Sequence, residues 1–132
     1  SIIMIDIDHF KNVNDQYGHL AGDQVLIQFV QRIQEELRTP DILARFGGEE
    51  FIILLPETNL GEATQVAERL REVTAQYPFL LVTAQVYITI SLGVSCFRFT
   101  TISLDHLIDE SDKALYEAKQ FGRNRVRAWQ HK

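Results

Sequence analysis

The opening segment Ile2-Ile3-Met4-Ile5-Asp6-Ile7-Asp8 constrains the fold more than any other stretch of the 132 residues. A short apolar run rich in β-branched residues is a buried strand. Ile3, Ile5 and Ile7 share one face, and Met4, Asp6 and Asp8 share the other. Two carboxylates at the carboxyl end of a buried strand repel each other and lose hydration unless something positive neutralises them. The fold has to bury this strand and still satisfy its end.

Hydrophobic periodicity assigns the rest. A short helix over Phe10 to Tyr17 ends at Gly18, and a longer helix runs to about Arg38, with Leu26, Phe29, Val30, Ile33 and Leu37 inward and Gln28, Arg32, Glu35 and Glu36 outward. Pro40 stands just past its end. Strands over Ile42 to Phe46 and Phe51 to Leu55 flank Gly47-Gly48-Glu49-Glu50, which reads as a hairpin because glycine accepts positive φ without steric cost. Asn59-Leu60-Gly61-Glu62 resembles a capping box, and Ala63, Val66, Ala67, Leu70 and Val73 give the following helix its buried stripe. Gln76 to Gln85 is ambiguous, with Phe79 to Val82 a candidate strand. Val86 to Val94 alternates in the manner of a half-buried antiparallel strand. A last helix uses Leu104, Leu107, Ile108, Leu115, Ala118 and Phe121 and is capped by Gly122, before a short strand over Arg125 to Trp129. The order β-α-α-β-β-α-β-α-β is an α+β domain: a central, mostly antiparallel sheet of about five strands flanked by helices.

Charge narrows the function classes. With 13 Lys and Arg against 18 Asp and Glu, the net charge of −5 argues against nucleic acid and against direct contact with an anionic membrane. No apolar run approaches the roughly 20 residues that span a bilayer. The single Cys96 makes neither an internal disulfide nor a zinc site and suits a reducing compartment. The chain opens inside a strand with no initiator Met, which reads as a domain cut from a longer protein with part of its N-terminus missing.

On spacing alone, Asp6 with Asp8 and Glu49 with Glu50 read equally as solvated strand-end charges or as a place where Asp6 and Glu49 come together around a hard cation. Mg²⁺ suits the second reading, since it takes oxygen ligands and is usually completed by substrate phosphates. After Glu117 the chain has no acid but carries Lys119, Arg123, Arg125, Arg127 and Lys132. For Arg125 and Arg127 a solvated helix end, where cations suit the dipole, is preferred. Lys119 and Arg123 lie four apart around the helix terminus and can reach one anion, with Lys11 a second phosphate contact.

Taken together, Gly47-Gly48-Glu49-Glu50-Phe51 behind Arg45-Phe46, Asp6-Ile7-Asp8-His9-Phe10-Lys11, Asn14-Asp15, Gly18-His19, Gly22-Asp23, Ser111-Asp112-Lys113-Ala114-Leu115-Tyr116 and Ala118-Lys119-Gln120-Phe121-Gly122-Arg123-Asn124-Arg125 resemble the GGDEF family of diguanylate cyclases. The blocks appear in family order across almost the whole chain. The family's Leu-Thr-Gly-Leu block before the first strand is absent, so the resemblance is to a single GGDEF domain lacking its extreme N-terminal segment.

The resemblance implies a palm-like nucleotidyl cyclase fold and condensation of two GTP into cyclic di-GMP with release of pyrophosphate, by a homodimer in which each domain holds one GTP. It implies two Mg²⁺ per half-site (Mn²⁺ as a substitute) bound by Asp6, Glu49 and the carbonyl of Ile7. Glu49 is also the candidate base and Glu50 the second essential acid. Lys11, Lys119 and Arg123 are phosphate contacts. Asn14 and Asp23 are guanine readers, with His19 lining the same pocket. From the residues alone, Asn14 and Asp23 read more readily as turn and cap residues. Arg38-Thr39-Pro40-Asp41 has the Arg-x-x-Asp spacing of the family's product-inhibition site, with Arg69 a secondary arginine, roughly 15–20 Å along the strand from Glu49 at ~3.3 Å per residue. A cytoplasmic domain of a signalling protein, itself soluble or membrane-anchored upstream, is the implied setting. The alternative function is a noncatalytic receptor for GTP or cyclic di-GMP, and the intact Asp6, Lys11, Glu49 and Glu50 favour the enzyme.

Overall fold

The computed structural model describes residues 1–130; Lys132 of the basic run lies outside the described residues. Its elements are β1 (Ile2–Ile7), α1 (Phe10–Tyr17), α2 (His19–Gln34), β2 (Ile42–Arg45), β3 (Glu50–Leu54), α3 (Leu60–Gln76), β4 (Phe79–Leu80), β5 (Gln85–Val86), β6 (Ile90–Ser95), α4 (Leu104–Gln120) and β7 (Val126–Ala128). Five strands form one sheet in the order β2-β3-β1-β6-β7, and β4 with β5 forms a separate two-stranded ribbon. The large sheet is antiparallel except for the β6–β7 pair, as an α+β domain requires. No helix among the described residues is long and apolar enough to cross a membrane.

The opening strand occupies the centre. β1 pairs with β3 on one side and β6 on the other, and all six of its residues are buried. Ile3, Ile5 and Ile7 join Phe29 and Ile33 of α2, Phe51 and Ile53 of β3 and Leu70 of α3 in one apolar cluster. The Phe29 and Phe51 rings meet at 5.0 Å. Each such buried aliphatic or aromatic side chain contributes about 1.5–3 kcal/mol. The opposite face packs on α4. Gly93 pairs with Met4, and a Cβ at Gly93 would stand 2.1 Å from the Ser111 carbonyl oxygen and 2.3 Å from the Leu115 nitrogen. That glycine sets how closely α4 can approach the sheet.

Several boundaries differ from the sequence reading. The expected strand over Val86 to Val94 is two elements, and β6 is buried throughout rather than half-buried. Its alternation separates large residues facing α2 and α3 from the small Ser91, Gly93 and Ser95 facing α4, so size and not polarity alternates. Helix α2 stops at Gln34, four residues before Arg38, because the chain turns there to deliver Leu37 to the core. Arg32, expected outside, donates to the Thr74, Tyr77 and Pro78 carbonyls at 3.1, 2.8 and 3.1 Å and lies over the Phe79 ring, closing the end of α3. Of the α4 stripe, Leu104 and Phe121 are exposed at its two ends, while Glu110 and Ser111 are buried. The capping box on α3 is present, with Asn59 Oδ1 accepting from the Glu62 amide at 2.8 Å and Glu62 accepting from the Asn59 amide at 3.2 Å.

Candidate active site

The register of β1 and β3 decides which carboxylates meet. Asp6 stands opposite Glu50, and the Ile7 amide donates to the Glu49 carbonyl at 3.1 Å. The end of the central strand and the tip of the β2–β3 hairpin therefore form one acidic edge. Asp6 is buried, and its carboxylate accepts a hydrogen bond from the Lys119 ammonium at the end of α4. Burial raises the Asp6 pKa, Lys119 opposes that rise, and the neighbouring Asp8 adds to it. Burial likewise raises Glu50, helped by the Asp6 charge and opposed by Lys119. At both carboxylates the loss of hydration outweighs the Lys119 charge.

The hairpin tip is not held as its glycines suggest. Neither Gly47 nor Gly48 has positive φ. The Glu50 carbonyl accepts from the Phe46 and Gly47 amides at 2.8 and 3.2 Å, and the Arg45 guanidinium donates to the Gly47 and Gly48 carbonyls at 3.1 and 2.6 Å. A Cβ at Gly48 would meet nothing within 4 Å, so the bare glycine leaves space before the cavity. Arg45 is a member of the site that sequence reading passed over. Its adjacency to the signature was the available signal.

Two cavities adjoin along this edge and share Phe10, Lys11 and Glu49. The smaller, about 190 Å³, brings together Asp6, Ile7, Lys11, Glu49, Lys119 and Arg123. The larger, about 440 Å³, has Lys11, Asn14, His19, Asp23, Arg45, Gly48 and Glu49 on its walls. Asn14 and Asp23 come from different helices, and Gly22 lets them approach: a Cβ there would lie 1.9 Å from Asn14 Oδ1. Asp8 lines the smaller cavity as well, beside Asp6, with its carboxylate engaged by hydrogen bonds. Its carboxylate accepts from Thr89 Oγ1 and Ser91 Oγ, both at 2.7 Å, and from the Asn124 amide at 3.0 Å.

Arg38, Asp41 and Arg69 line a third cavity of about 350 Å³ with Thr58, Glu62 and Gln65. It lies at the opposite end of β2 from Glu49. Arg38 donates to Asp41 through Nε and Nη2, the latter at 2.8 Å, and also to the Pro56 carbonyl at 3.0 Å. Burial would raise the Asp41 pKa, but hydrogen bonds from Arg38 and the charges of Arg38 and Arg69 hold it below the usual value. Arg69 pairs with Glu36 at 3.4 Å.

The family model for the diguanylate cyclase GGDEF domain matches residues 1–125. Diguanylate cyclase A of Treponema denticola is 48% identical over 126 residues, covering 96% of this chain and 34% of that protein. The chain spans about a third of the length of such curated relatives. Among solved structures, the active GGEEF domain of a diguanylate cyclase from Vibrio cholerae superimposes with a TM-score of 0.91 at 37% identity, covering 99% of this chain and 83% of that one. The GGDEF domain of DgcB from Caulobacter crescentus, in complex with c-di-GMP, gives 0.91 at 32% identity over 98% of this chain and 77% of that one. With a signature hairpin, a central acidic strand and a family match over nearly its whole length, the chain belongs to the diguanylate cyclase GGDEF domain family.

Proposed function

We propose that this chain is the catalytic domain of a diguanylate cyclase, a nucleotidyltransferase that joins two GTP into cyclic di-GMP. The observation that carries the reading is the shared edge of the two cavities: carboxylates and cations line one, amide and carboxylate groups on α1 and α2 line the other, and Glu49 and Lys11 line both.

In each of two equivalent steps the 3′-oxygen of one GTP attacks the α-phosphorus of the other. The new P–O bond replaces the bond to pyrophosphate, and the hydroxyl proton is given up, so two GTP yield one cyclic di-GMP and two pyrophosphates. Asn14 and Asp23 hold the guanine: a carboxylate accepts from N1–H and the N2 amino group, and an amide pairs with O6 or N3. His19 borders the base. Lys11, Lys119 and Arg123 neutralise the phosphates, and Lys119 exchanges Asp6 for phosphate when substrate enters. Glu49 takes the 3′-hydroxyl proton, while Glu50, its pKa raised, steadies the acidic edge. One domain binds one GTP, so the reaction joins the half-sites of a homodimer. Arg38, Asp41 and Arg69 form a separate site where the product binds and inhibits. The domain belongs to a longer signalling protein.

The donor set fits a hard divalent cation. Asp6, Glu49 and the Ile7 carbonyl are all oxygen donors, and the three residues line one small cavity. Among the described residues no three His, Cys, Asp or Glu side chains cluster tightly enough to hold an ion unaided. Mg²⁺ is usually held by one or two carboxylates and completed by water and substrate phosphates. Two Mg²⁺, or Mn²⁺ in their place, supply activation of the 3′-hydroxyl and stabilisation of the leaving pyrophosphate when bound.

Asp6→Asn and Glu49→Gln test the reading. Both should lose at least about a hundredfold in turnover, as removal of a general base or of a charged ligand does. Turnover of GTP at the parent rate in either variant refutes the assignment.

A further inference from the structure

The turn that carries Arg123 is conformationally expensive. Gly122, Arg123 and Asn124 have φ of 119°, 63° and 47°, three consecutive left-handed residues of which only the first is glycine. One such residue ends a helix; the next two, with Cβ atoms, persist only where surrounding contacts over-determine them. The Arg123 amide closes the helix on the Ala118 carbonyl at 3.0 Å, and two further contacts meet this requirement at Asn124. Its amide donates to Asp8 Oδ2 at 3.0 Å, and its Oδ1 accepts from Arg71 Nη1 of α3 at 3.1 Å. Asp8 is itself fixed, buried and bonded to Thr89 and Ser91. Arg71 is steadied by Glu68. The Arg123 guanidinium, by contrast, has no hydrogen-bond or ion-pair partner among the described residues, so the turn sets where it stands beside Asp6 and Lys119.

We propose that Asp8 and Arg71 are positioning residues: they clamp Asn124 and so hold the left-handed turn that presents Arg123 to the carboxylate cavity. This rests on the reading of Arg123 as a phosphate contact and extends it to two residues that touch no phosphate. Arg71 lies on the flank of α3 and lines neither cavity of the site. Asp8 does line the smaller cavity, but its two carboxylate oxygens are taken by Thr89, Ser91 and the Asn124 amide.

The experiment is a set of double-mutant cycles on the whole protein, with Asp8→Asn, Arg71→Leu and Arg123→Ala alone and paired. GTP and guanosine affinities are measured by calorimetry, and amide hydrogen exchange is followed across residues 122–125. Asp8→Asn and Arg71→Leu should each weaken GTP by about three- to tenfold, part of one charge-assisted contact. Guanosine should bind as in the parent, exchange across the turn should accelerate, and neither substitution should weaken GTP further once Arg123 is Ala. Arg71→Leu, at a half-buried position on α3, carries the test if the buried Asp8 variant does not fold. If Arg123→Ala weakens GTP but Asp8→Asn and Arg71→Leu do not, or if they weaken guanosine equally, the positioning role is overturned. If Arg123→Ala leaves GTP binding unchanged, the phosphate role of Arg123 falls and the clamp's role in binding falls with it.

Discussion

Gly22→Ala should separate substrate recognition from stability. The added Cβ would sit 1.9 Å from Asn14 Oδ1 and 3.2 Å from Cζ of Phe10. A carbon–oxygen contact needs about 3.3 Å, so the Asn14 amide must withdraw by about 1.4 Å. The amide is the far end of a flexible side chain, and its withdrawal strains little backbone. Replacing glycine in a helix interior gains about 0.5–1 kcal/mol, and the close Phe10 ring takes part of that back. Stability should therefore stay within about 1 kcal/mol of the parent. Recognition should suffer: one hydrogen bond to guanine is worth about 0.5–1.5 kcal/mol, or about two- to thirteenfold in affinity. Urea unfolding gives the first quantity, and calorimetric titration with GTP and ATP gives the second. Unchanged GTP affinity and unchanged preference over ATP would refute the placement of guanine against Asn14. A large loss of stability would make Gly22 a packing glycine instead. Gly93→Ala is the contrast, since its Cβ meets helix backbone and overpacking there costs about 1–3 kcal/mol or more.

Asp6→Asn should melt higher than the parent when both are compared free of metal near neutral pH. Burial raises the folded pKa of Asp6 above its unfolded value, so the ionised carboxylate costs stability. That cost is absent below the unfolded value of about 3.9 and complete above the folded one, so the gap should close as pH falls toward 4. An unchanged or lower melting point near neutrality contradicts this. Arg38→Ala should raise the half-inhibiting concentration of cyclic di-GMP at least about tenfold, because a charge-assisted contact is worth about 1.5–3 kcal/mol. Equal inhibition in that variant, or strict competition with GTP in the parent, counts against the separate site.

The large sheet was legible because its strands carry their burial in their own letters. Ile2 to Ile7 reads as a buried strand at sight, and β3 and the capped α3 follow from local pattern. The errors fell where tertiary contact overrides pattern. Ser91, Gly93 and Ser95 look solvent-facing, yet they are small because α4 lies on them. Arg32 looks like surface charge, but the free carbonyls at the end of α3 recruit it. Within the site, residue types at the strand end and hairpin tip were visible, and the register that sets Asp6 opposite Glu50 was not. The same holds for Asp8, whose partners lie 81 to 116 residues away in sequence.

The central claim is met most directly by incubating the purified protein with GTP and Mg²⁺ and resolving the products. A cyclase built from two half-sites should release two pyrophosphates for each cyclic di-GMP formed. At low concentration its initial rate should rise with the square of protein concentration. GTP that remains intact at every protein concentration, or is merely hydrolysed to GDP, would contradict it.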